Sequence, residues 1–190
     1  MSKYNYTIYI NKESNTYRPL TLIHPYLYVD FVNLLTKETN WKILVERFEE
    51  LQDSVQNKIV CSSLPFETVK VSKADSKKEY ALNFWESIEQ ETIKYSLEYN
   101  CLLKVDIQNF YGSIYTHTLC WALHGEEKSK EAKNQSKLDD LLGDKVDRKF
   151  QYMNYGETVG IPQGNIISDL MSELLLAFID YKLVRRIKKN

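Results

Sequence analysis

The chain has 190 residues and a formal net charge of −1, and its 43% hydrophobic and 27% charged residues exclude a disordered or collagen-like protein. The length suits one domain, no apolar run approaches the ~18 residues of a membrane span, and the N-terminus lacks the apolar core of a secretory signal. Three widely spaced cysteines argue against a disulfide framework and predict a reducing, cytoplasmic location. The absence of a long apolar run predicts no membrane partner. Because the net charge is close to zero, a nucleic-acid partner would need a local basic surface.

The N-terminal half of the sequence predicts a β-hairpin followed by helices. Alternating residues from Tyr4 to Ile10 indicate a strand, and a polar turn over residues 11–15 leads to a second strand over residues 17–23. Apolar residues at helical spacing predict three helices, and two irregular segments separate the second from the third. The helices cover residues 26–35, 41–55 and 80–99, and the segments are an extended stretch at 59–71 and a charged loop at 72–78.

The C-terminal half predicts one short strand, several helices and a turn. Residues 101–107 (CLLKVDI) form an apolar run typical of a buried strand, with one acid near its end. The other predicted elements are a helix over residues 113–123, a solvated helix, loop and second helix over 125–148, a hairpin over 150–159, a turn at 160–164 and a long helix over 166–187. The pattern is helix-rich α+β, and most of the sheet that such helices would cover is missing.

Asp106 is the first candidate functional residue. It lies near the end of the predicted strand, where a carboxylate is held rigidly beside the backbone carbonyl of its neighbour. Oxygens in fixed positions, with room left for substrate phosphates, are what a hard cation needs. An aspartate that caps the following turn explains the same position, and core packing also explains the two rings that follow, Phe110 and Tyr111.

Residues 160–169 (GIPQGNIISD) are the second candidate segment. A proline followed by Gln163 and Gly164 at a helix entrance gives a stiff turn whose free backbone N–H groups suit a nucleotide or a template strand. A plain helix start in which glycine supplies an unusual φ has the same sequence.

Taken together, the two segments resemble motifs A and B of reverse transcriptases. D-I-x-x-F-Y-x-S-I from Asp106 is similar to motif A, and G-I-P-Q-G-x-x-x-S from Gly160 is similar to motif B. The match is closest to the bacterial retron-like and abortive-infection or defence-associated groups. Residues 109–125 look like the defence-associated members in particular. Residues 17–25 (YRPLTLIHP) are similar to the fingers motif, so the resemblance covers residues 17–190 in the correct order.

The resemblance implies an α+β right-hand polymerase fold without a thumb. Residues 1–100 would be a fingers-like region, and residues 101–190 would be the first half of the palm. The implied activity is that of an RNA-directed DNA polymerase, a nucleotidyltransferase that adds deoxynucleoside triphosphates to a primer 3′ end. The implied partners are an RNA or DNA template with its primer, and the implied cofactor is Mg²⁺, or Mn²⁺ in its place.

The resemblance also implies roles for individual residues. Asp106 matches the first catalytic, metal-binding acid, and Ile107 matches the residue whose carbonyl joins it at the metal. Tyr111 matches the aromatic residue under the sugar, which blocks a 2′-hydroxyl. The other nucleotide-binding matches are Phe110, Gln163, Gly164 and, in the fingers motif, Arg18.

The chain departs from the family in its acids. Family members carry a Tyr/Phe-x-Asp-Asp hairpin after motif B, whereas the only adjacent pair here, Asp139-Asp140, precedes motif B in a charged segment that indicates surface. One carboxylate cannot hold two catalytic Mg²⁺ ions. We therefore expect residues 1–190 to be inactive alone and to depend on the remainder of the palm and a thumb. The alternatives are a non-catalytic nucleic-acid-binding or scaffold module and a polymerase half that another chain completes.

Two further clusters have simpler explanations. His117, Cys120 and His124 share one helix face, but helix packing explains them better than zinc because no fourth ligand is nearby. The basic residues of 128–149 alternate with acids and predict a solvated face. The more cationic tail, from Lys182 to Lys189, suits either phosphate contacts or the C-terminal end of a helix.

Overall fold

The structure is a computed structural model that describes residues 5–13, 16–55, 59 and 88–187. Met1–Gln56 and Asn109–Asn190 belong to one compact unit, and Asn57–Gln108 form a second. The described residues mix helix with a small two-stranded sheet, as the α+β prediction requires. None of the described helices is both long and apolar enough to cross a bilayer.

The first compact unit begins with a β-hairpin. Strands β1 (Tyr6–Glu13) and β2 (Thr16–Leu22) pair antiparallel, with Tyr6 opposite Leu22 and an irregularity between Asn11 and Glu13. This confirms the predicted hairpin. The predicted turn begins too early, because Glu13 still pairs with Thr16.

Two helices follow the hairpin, as predicted. Helix α1 (Pro25–Leu35) starts with a proline, whose missing N–H would have no intrahelical partner at that position. The side chain of His24 accepts the Tyr26 N–H at 3.3 Å and caps the helix. Helix α2 (Glu38–Val55) buries an apolar stripe at the predicted helical spacing, formed by Leu44, Phe48, Leu51 and Val55.

The C-terminal part of this unit is mainly helical. Its elements are α3 (Phe110–Ser113), α4 (His117–His124), α5 (Glu126–Asn134), a 3-10 helix (Leu138–Asp140), α6 (Leu142–Met153) and α7 (Ile166–Ile187). The solvated helix, the loop, the second helix and the long C-terminal helix are thereby confirmed. Asp139 and Asp140 are exposed, as the sequence indicated.

The core of the first unit is formed by the facing sides of its helices. Helix α4 packs on α6 and α7, and α2 packs on α7. Met171 and Leu174 of α7 are fully buried, and Phe31 meets Phe150 edge-to-face with ring centroids 4.9 Å apart. Such burial contributes ~1.5–3 kcal/mol for each large apolar side chain. It fixes the relative positions of the helices that the loops of the candidate site connect.

The predicted strand over residues 101–107 is wrong. These residues are not assigned to a strand, and their side chains are exposed. A strand is stable only when a neighbour satisfies its backbone groups, and within the described residues β1 and β2 pair only with each other. An apolar run without a partner strand therefore remained irregular.

Two other predictions need correction. The predicted hairpin over 150–159 is wrong because the chain stays helical through Met153, where Val146, Phe150 and Met153 form one buried stripe of α6. The predicted helix over 113–123 is interrupted after α3, where Tyr115 forms a single β-bridge with Val159 before α4 begins.

The predictions for residues 60–87 lie outside the described residues. Of the predicted helix over 80–99, residues 88–96 are described and are helical, so the prediction is confirmed for that segment.

Candidate functional site

A cleft of about 300 Å³ in the first compact unit brings together the hairpin, the segment around Tyr111 and the turn at Gln163. The hairpin contributes one face of each strand. The residues that line the cleft include Thr7, Pro19, Thr21, Asn109, Tyr111, Gly112, Asn154, Ile161 and Gln163.

Backbone hydrogen bonds join the two motif-like segments at the base of this cleft. The Ile161 N–H donates to the Tyr111 carbonyl at 2.9 Å, and the Gly160 N–H donates to the Ile114 carbonyl at 2.7 Å. Gly160 has a φ of +93°, and a Cβ there would lie 3.3 Å from the carbonyl oxygen of Gly112. Glycine is therefore required at this position, both for the backbone conformation and for the close approach of the two segments.

The hairpin is tied to the turn and to the end of α6. The Thr21 N–H donates to the Gln163 carbonyl at 2.9 Å. The buried Asn5 donates from Nδ2 to the Met153 carbonyl at 2.5 Å, and its Oδ1 accepts the His24 N–H at 2.9 Å. These bonds fix the hairpin against the Gln163 turn and against the end of α6.

Asn165 starts helix α7 directly after the turn. Its Oδ1 accepts the Ser168 N–H at 2.9 Å, which is the bond of a helix N-cap, and its Nδ2 donates to the Pro162 carbonyl at 2.7 Å. One side chain therefore fixes both the turn and the direction of the helix.

Residues of α7 hold the hydroxyl of Tyr111 in place. Its hydroxyl donates to Asp169 Oδ1 at 2.8 Å, and the Ser172 hydroxyl lies 3.5 Å from it. Burial raises the pKa of the Tyr111 hydroxyl, and the charge of Asp169 raises it further. The hydroxyl therefore stays protonated and donates to the carboxylate, which restricts the rotation of the ring.

The structure brings two of the predicted nucleotide-binding residues together. Tyr111 and Gln163 line the same cleft, whereas Arg18, Phe110 and Gly164 do not. Arg18 is exposed and, by strand alternation, faces away from the side on which Pro19 and Thr21 line the cleft.

Phe110 and Gly164 are next to lining residues in the sequence without lining the cleft themselves. The ring of Phe110 meets Tyr111 edge-to-face with centroids 5.9 Å apart. Gly164 has a φ of +98°, and a Cβ there would lie 2.9 Å from a methyl carbon of Leu20. Both residues therefore shape the positions of the residues beside them.

Asp106 and Ile107, the predicted metal-binding residues, belong to the second compact unit and are exposed. In the described part of the chain, no three His, Cys, Asp or Glu side chains come close enough together to hold a metal ion. One carboxylate and one carbonyl are too few ligands for the two-cation chemistry that the resemblance implies. The described residues do not by themselves fit a catalytic Mg²⁺ pair.

The three residues considered for zinc have different partners. His117 Nδ1 bonds the buried Asp147, Cys120 Sγ lies 3.6 Å from the Ser129 hydroxyl, and His124 Nε2 accepts the Gly143 N–H at 3.0 Å. Burial lowers the pKa of His124 to about 4, and the charges of Lys128 and Arg47 act in the same direction. The three residues hold α4 against α5 and α6, as the packing explanation expected.

Asp169 is the site residue to which the sequence assigned no role. An acid in the first turn of a helix is ordinarily explained by the helix dipole, so its type and position gave no separate signal. Only the packing of the Tyr111 segment against α7 shows its partner.

No family model matches the chain, and no curated protein matches it at a significant level. The functional assignment therefore depends on the geometry of the cleft and on the motif resemblance.

Proposed function

We propose that the chain is the nucleotide-binding part of a template-directed DNA polymerase of the reverse transcriptase family, acting in bacterial phage defence. In this proposal the cleft between the hairpin and the Gln163 turn receives the base and sugar of an incoming deoxynucleoside triphosphate. Gln163 lies beside the nucleotide and its template partner, and Tyr111 lies under the sugar.

One observation carries the proposal. Tyr111 and Gln163 are 52 positions apart in the sequence, yet they line one cleft because the Tyr111–Thr116 segment pairs with residues 158–161. The motif resemblance alone required no such convergence. A surface tyrosine and an ordinary helix start would have no reason to share a cleft.

The chemistry expected of the cleft is steric selection of the sugar. The hydrogen bond to Asp169 restricts the rotation of the Tyr111 ring. A 2′-hydroxyl placed against the ring would therefore overlap with it. Such rejection needs no hydrogen bond to the substrate and admits the sugar that lacks the hydroxyl.

The proposal assigns metal binding to Asp106, with acids supplied from outside residues 1–190. The bound cations would neutralise the charge of the triphosphate and of the leaving group. The chain's own residues in the cleft bind and orient the nucleotide, and residues 1–190 alone are expected to bind it without incorporating it.

The test is direct binding of a deoxynucleoside triphosphate to the chain in the presence of Mg²⁺, measured by calorimetry. We expect Gln163→Ala to weaken binding by about tenfold, equivalent to ~1.4 kcal/mol. Gln135→Ala is the matched control, because Gln135 is exposed at the end of α5 and lies outside the cleft.

Two results would contradict the proposal. The first is the absence of binding by a folded wild-type chain, and the second is equal binding by wild type and Gln163→Ala. Either result would favour the non-catalytic scaffold alternative.

A further inference from the structure

A second groove, of about 460 Å³, lies between α2, the start of α5 and the end of α7. It shares no lining residue with the nucleotide cleft. Phe178 lines it nine residues after Asp169 on the same helix, which is a rotation of about 180° at ~100° per residue. The groove is therefore on the side of α7 opposite the contact with Tyr111.

This groove is basic although the chain as a whole is not. Five basic residues line it (Arg47, Lys128, Lys130, Lys182 and Arg185), against three acidic ones (Glu50, Glu126 and Glu127). The net charge of the whole chain is −1. Positive charge is thus concentrated here by the fold.

Two aromatic rings hold three of these cations in place. Phe178 and Tyr181 stack with centroids 6.3 Å apart. Arg47 lies 5.9 Å and Lys182 5.3 Å from the Phe178 ring, and Arg185 lies 5.4 Å from the Tyr181 ring. Arg185 also donates to the Tyr181 hydroxyl at 2.6 Å. Cations ordered in advance lose less conformational entropy when an anion binds.

The groove already holds one anion of its own. Glu126 accepts hydrogen bonds from Lys130 at 2.7 Å and from Lys182 at 2.6 Å. These two lysines lower the pKa of Glu126 to about 2, and Lys128 and Arg47 contribute to the lowered pKa of His124, in which burial is the larger cause. Lys128 and Arg185 form no ion pair with any described residue, so they can pair with an external anion.

We propose that this groove binds the phosphate backbone of single-stranded nucleic acid. Lys128 and Arg185 bind the first phosphate. Lys130 and Lys182 then release the carboxylate of Glu126 and bind a second phosphate in its place. The site is separate from the nucleotide cleft and does not depend on its proposed function.

The lining favours a polynucleotide over an acidic peptide. Phe178 is only 7% exposed, and Arg47 and Lys182 lie over its ring. The groove therefore has no apolar pocket for the apolar side chains that lie between the acidic residues of an acidic peptide. A phosphodiester chain carries one charge per link and needs only spaced cations along an open path.

The test is binding of a fluorescent twelve-nucleotide single strand to the 190-residue chain, followed by anisotropy at several salt concentrations. We expect the double variant Lys128→Glu/Arg185→Glu to lower the affinity at least about tenfold, and the slope of log K against log salt to fall by ~0.7 for each phosphate that is no longer neutralised. Lys133→Glu/Arg186→Glu is the matched control, because it changes two exposed cations of the same two helices, by the same charge, outside the groove. We expect its affinity to stay within about threefold of wild type.

A second variant tests the exchange with Glu126. Glu126→Gln releases two lysines without removing a cation, so we expect tighter binding. Unchanged or weaker binding by a folded Glu126→Gln chain would show that Lys130 and Lys182 do not take a phosphate. Should the charge-reversal variant fail to fold by circular dichroism, Lys128→Gln/Arg185→Gln replaces it, with the same expected direction.

Three outcomes would overturn the proposal. Equal losses of affinity in the groove and control variants would show that the oligonucleotide binds only by non-specific attraction to the net charge. Displacement of the oligonucleotide by tripolyphosphate at the same phosphate concentration would assign the groove to free polyphosphates. Displacement by a twelve-residue polyglutamate peptide at equal concentration would assign it to an acidic protein.

Discussion

The Tyr111 hydroxyl donates a 2.8 Å hydrogen bond to the carboxylate of Asp169, a residue 58 positions later in the sequence, at the start of α7. The bond joins a residue of the motif A resemblance to the helix that follows the motif B resemblance. It ties the orientation of the tyrosine ring to the position of α7. The ring is thereby held as a wall of the cleft.

The proposed selection of the sugar by Tyr111 can be tested through this bond. We expect Tyr111→Val to raise ribonucleotide binding relative to deoxynucleotide binding at least about tenfold, a change of ~1.4 kcal/mol, because trimming the ring admits a 2′-hydroxyl. Asp169→Ala should act in the same direction by less, since the ring remains but is free to turn. Binding of both nucleotides and the melting temperature are measured for each variant.

Tyr152→Val is the control for this experiment. Tyr152 is 66% exposed on α6 and does not line the cleft, so its truncation should leave the sugar preference unchanged. A Tyr111→Val chain that melts early yet keeps the wild-type preference would show that Tyr111 only packs.

Asp106 is expected to be essential in any gene product that joins this chain to a Tyr/Phe-x-Asp-Asp segment. Asp106→Asn removes the charge of one metal ligand while keeping its size, and we expect deoxynucleotide incorporation to fall at least about a hundredfold, or ~2.7 kcal/mol in the barrier. Primer extension with Mg²⁺ measures the effect, with Asp140→Asn as an exposed control. Asp106→Asn activity within tenfold of wild type would show that Asp106 is a turn residue.

The lowered pKa of His124 should make the packing of α4 against α6 sensitive to acid. Its pKa is lowered from 6.5 in the unfolded chain to about 4 in the fold, so the unfolded chain binds more protons between these values. Its contribution to stability is present above about pH 6.5 and is lost as the pH falls towards 4, with a slope of at most ~1.4 kcal/mol per pH unit.

Urea unfolding between pH 4 and 7.5 tests this contribution as the difference between wild type and His124→Gln. We expect His124→Gln to show a flatter pH dependence over that window, since glutamine does not titrate. Identical slopes in the two proteins would mean that the pKa of His124 is the same in the folded and the unfolded chain.

Helices α4 and α6 can approach each other closely at Gly143 because this residue has no side chain. A Cβ at this position would lie 2.7 Å from Cys120 Cα, and 3.0 Å from both Cys120 Sγ and His124 Cδ2. The helix propensity of alanine would stabilise α6 by ~1 kcal/mol, but overpacking against backbone costs ~1–3 kcal/mol. We expect Gly143→Ala to destabilise the chain and to weaken the Gly143–His124 bond.

Gly156→Ala supplies the comparison for this variant. Gly156 has a φ of +86°, and a Cβ there would have no other atom within 4 Å, so its substitution costs only the backbone strain of ~1–2 kcal/mol and should leave the titration of His124 unchanged. A Gly143→Ala chain with wild-type stability and wild-type pH dependence would contradict the steric account.

The amphipathic elements were predictable because their signal is local. The periodicity of Leu44, Phe48 and Leu51 is sufficient to indicate α2, and the Pro162–Gly164 turn with the apolar run after it indicates the start of α7. The alternating pattern of β1 was likewise sufficient for the hairpin. These features depend on residues within a few positions of each other, which is the range that sequence periodicity reports.

The strand at 101–107 and the hairpin at 150–159 could not be decided in that way. Residues 101–107 are apolar enough for a strand, but a strand also needs a distant hydrogen-bonding partner, and composition does not report whether one exists. The sequence around Phe150 is compatible with either a β-strand or an α-helix. The helix forms because it buries an apolar stripe of α6 against α1 and α4.

Sequence alone therefore determined most of the helices, the N-terminal hairpin and the residue types of two short motif-like segments, since each is encoded by near neighbours. Tertiary structure decided that Tyr111 and Gln163 share a cleft, that Asp169 holds the tyrosine, and that cations from α2, α5 and α7 gather in one groove. The physical reason is range. Packing of helices brings together side chains roughly 50 to 140 positions apart, and their distances depend on how the buried faces fit rather than on any local pattern.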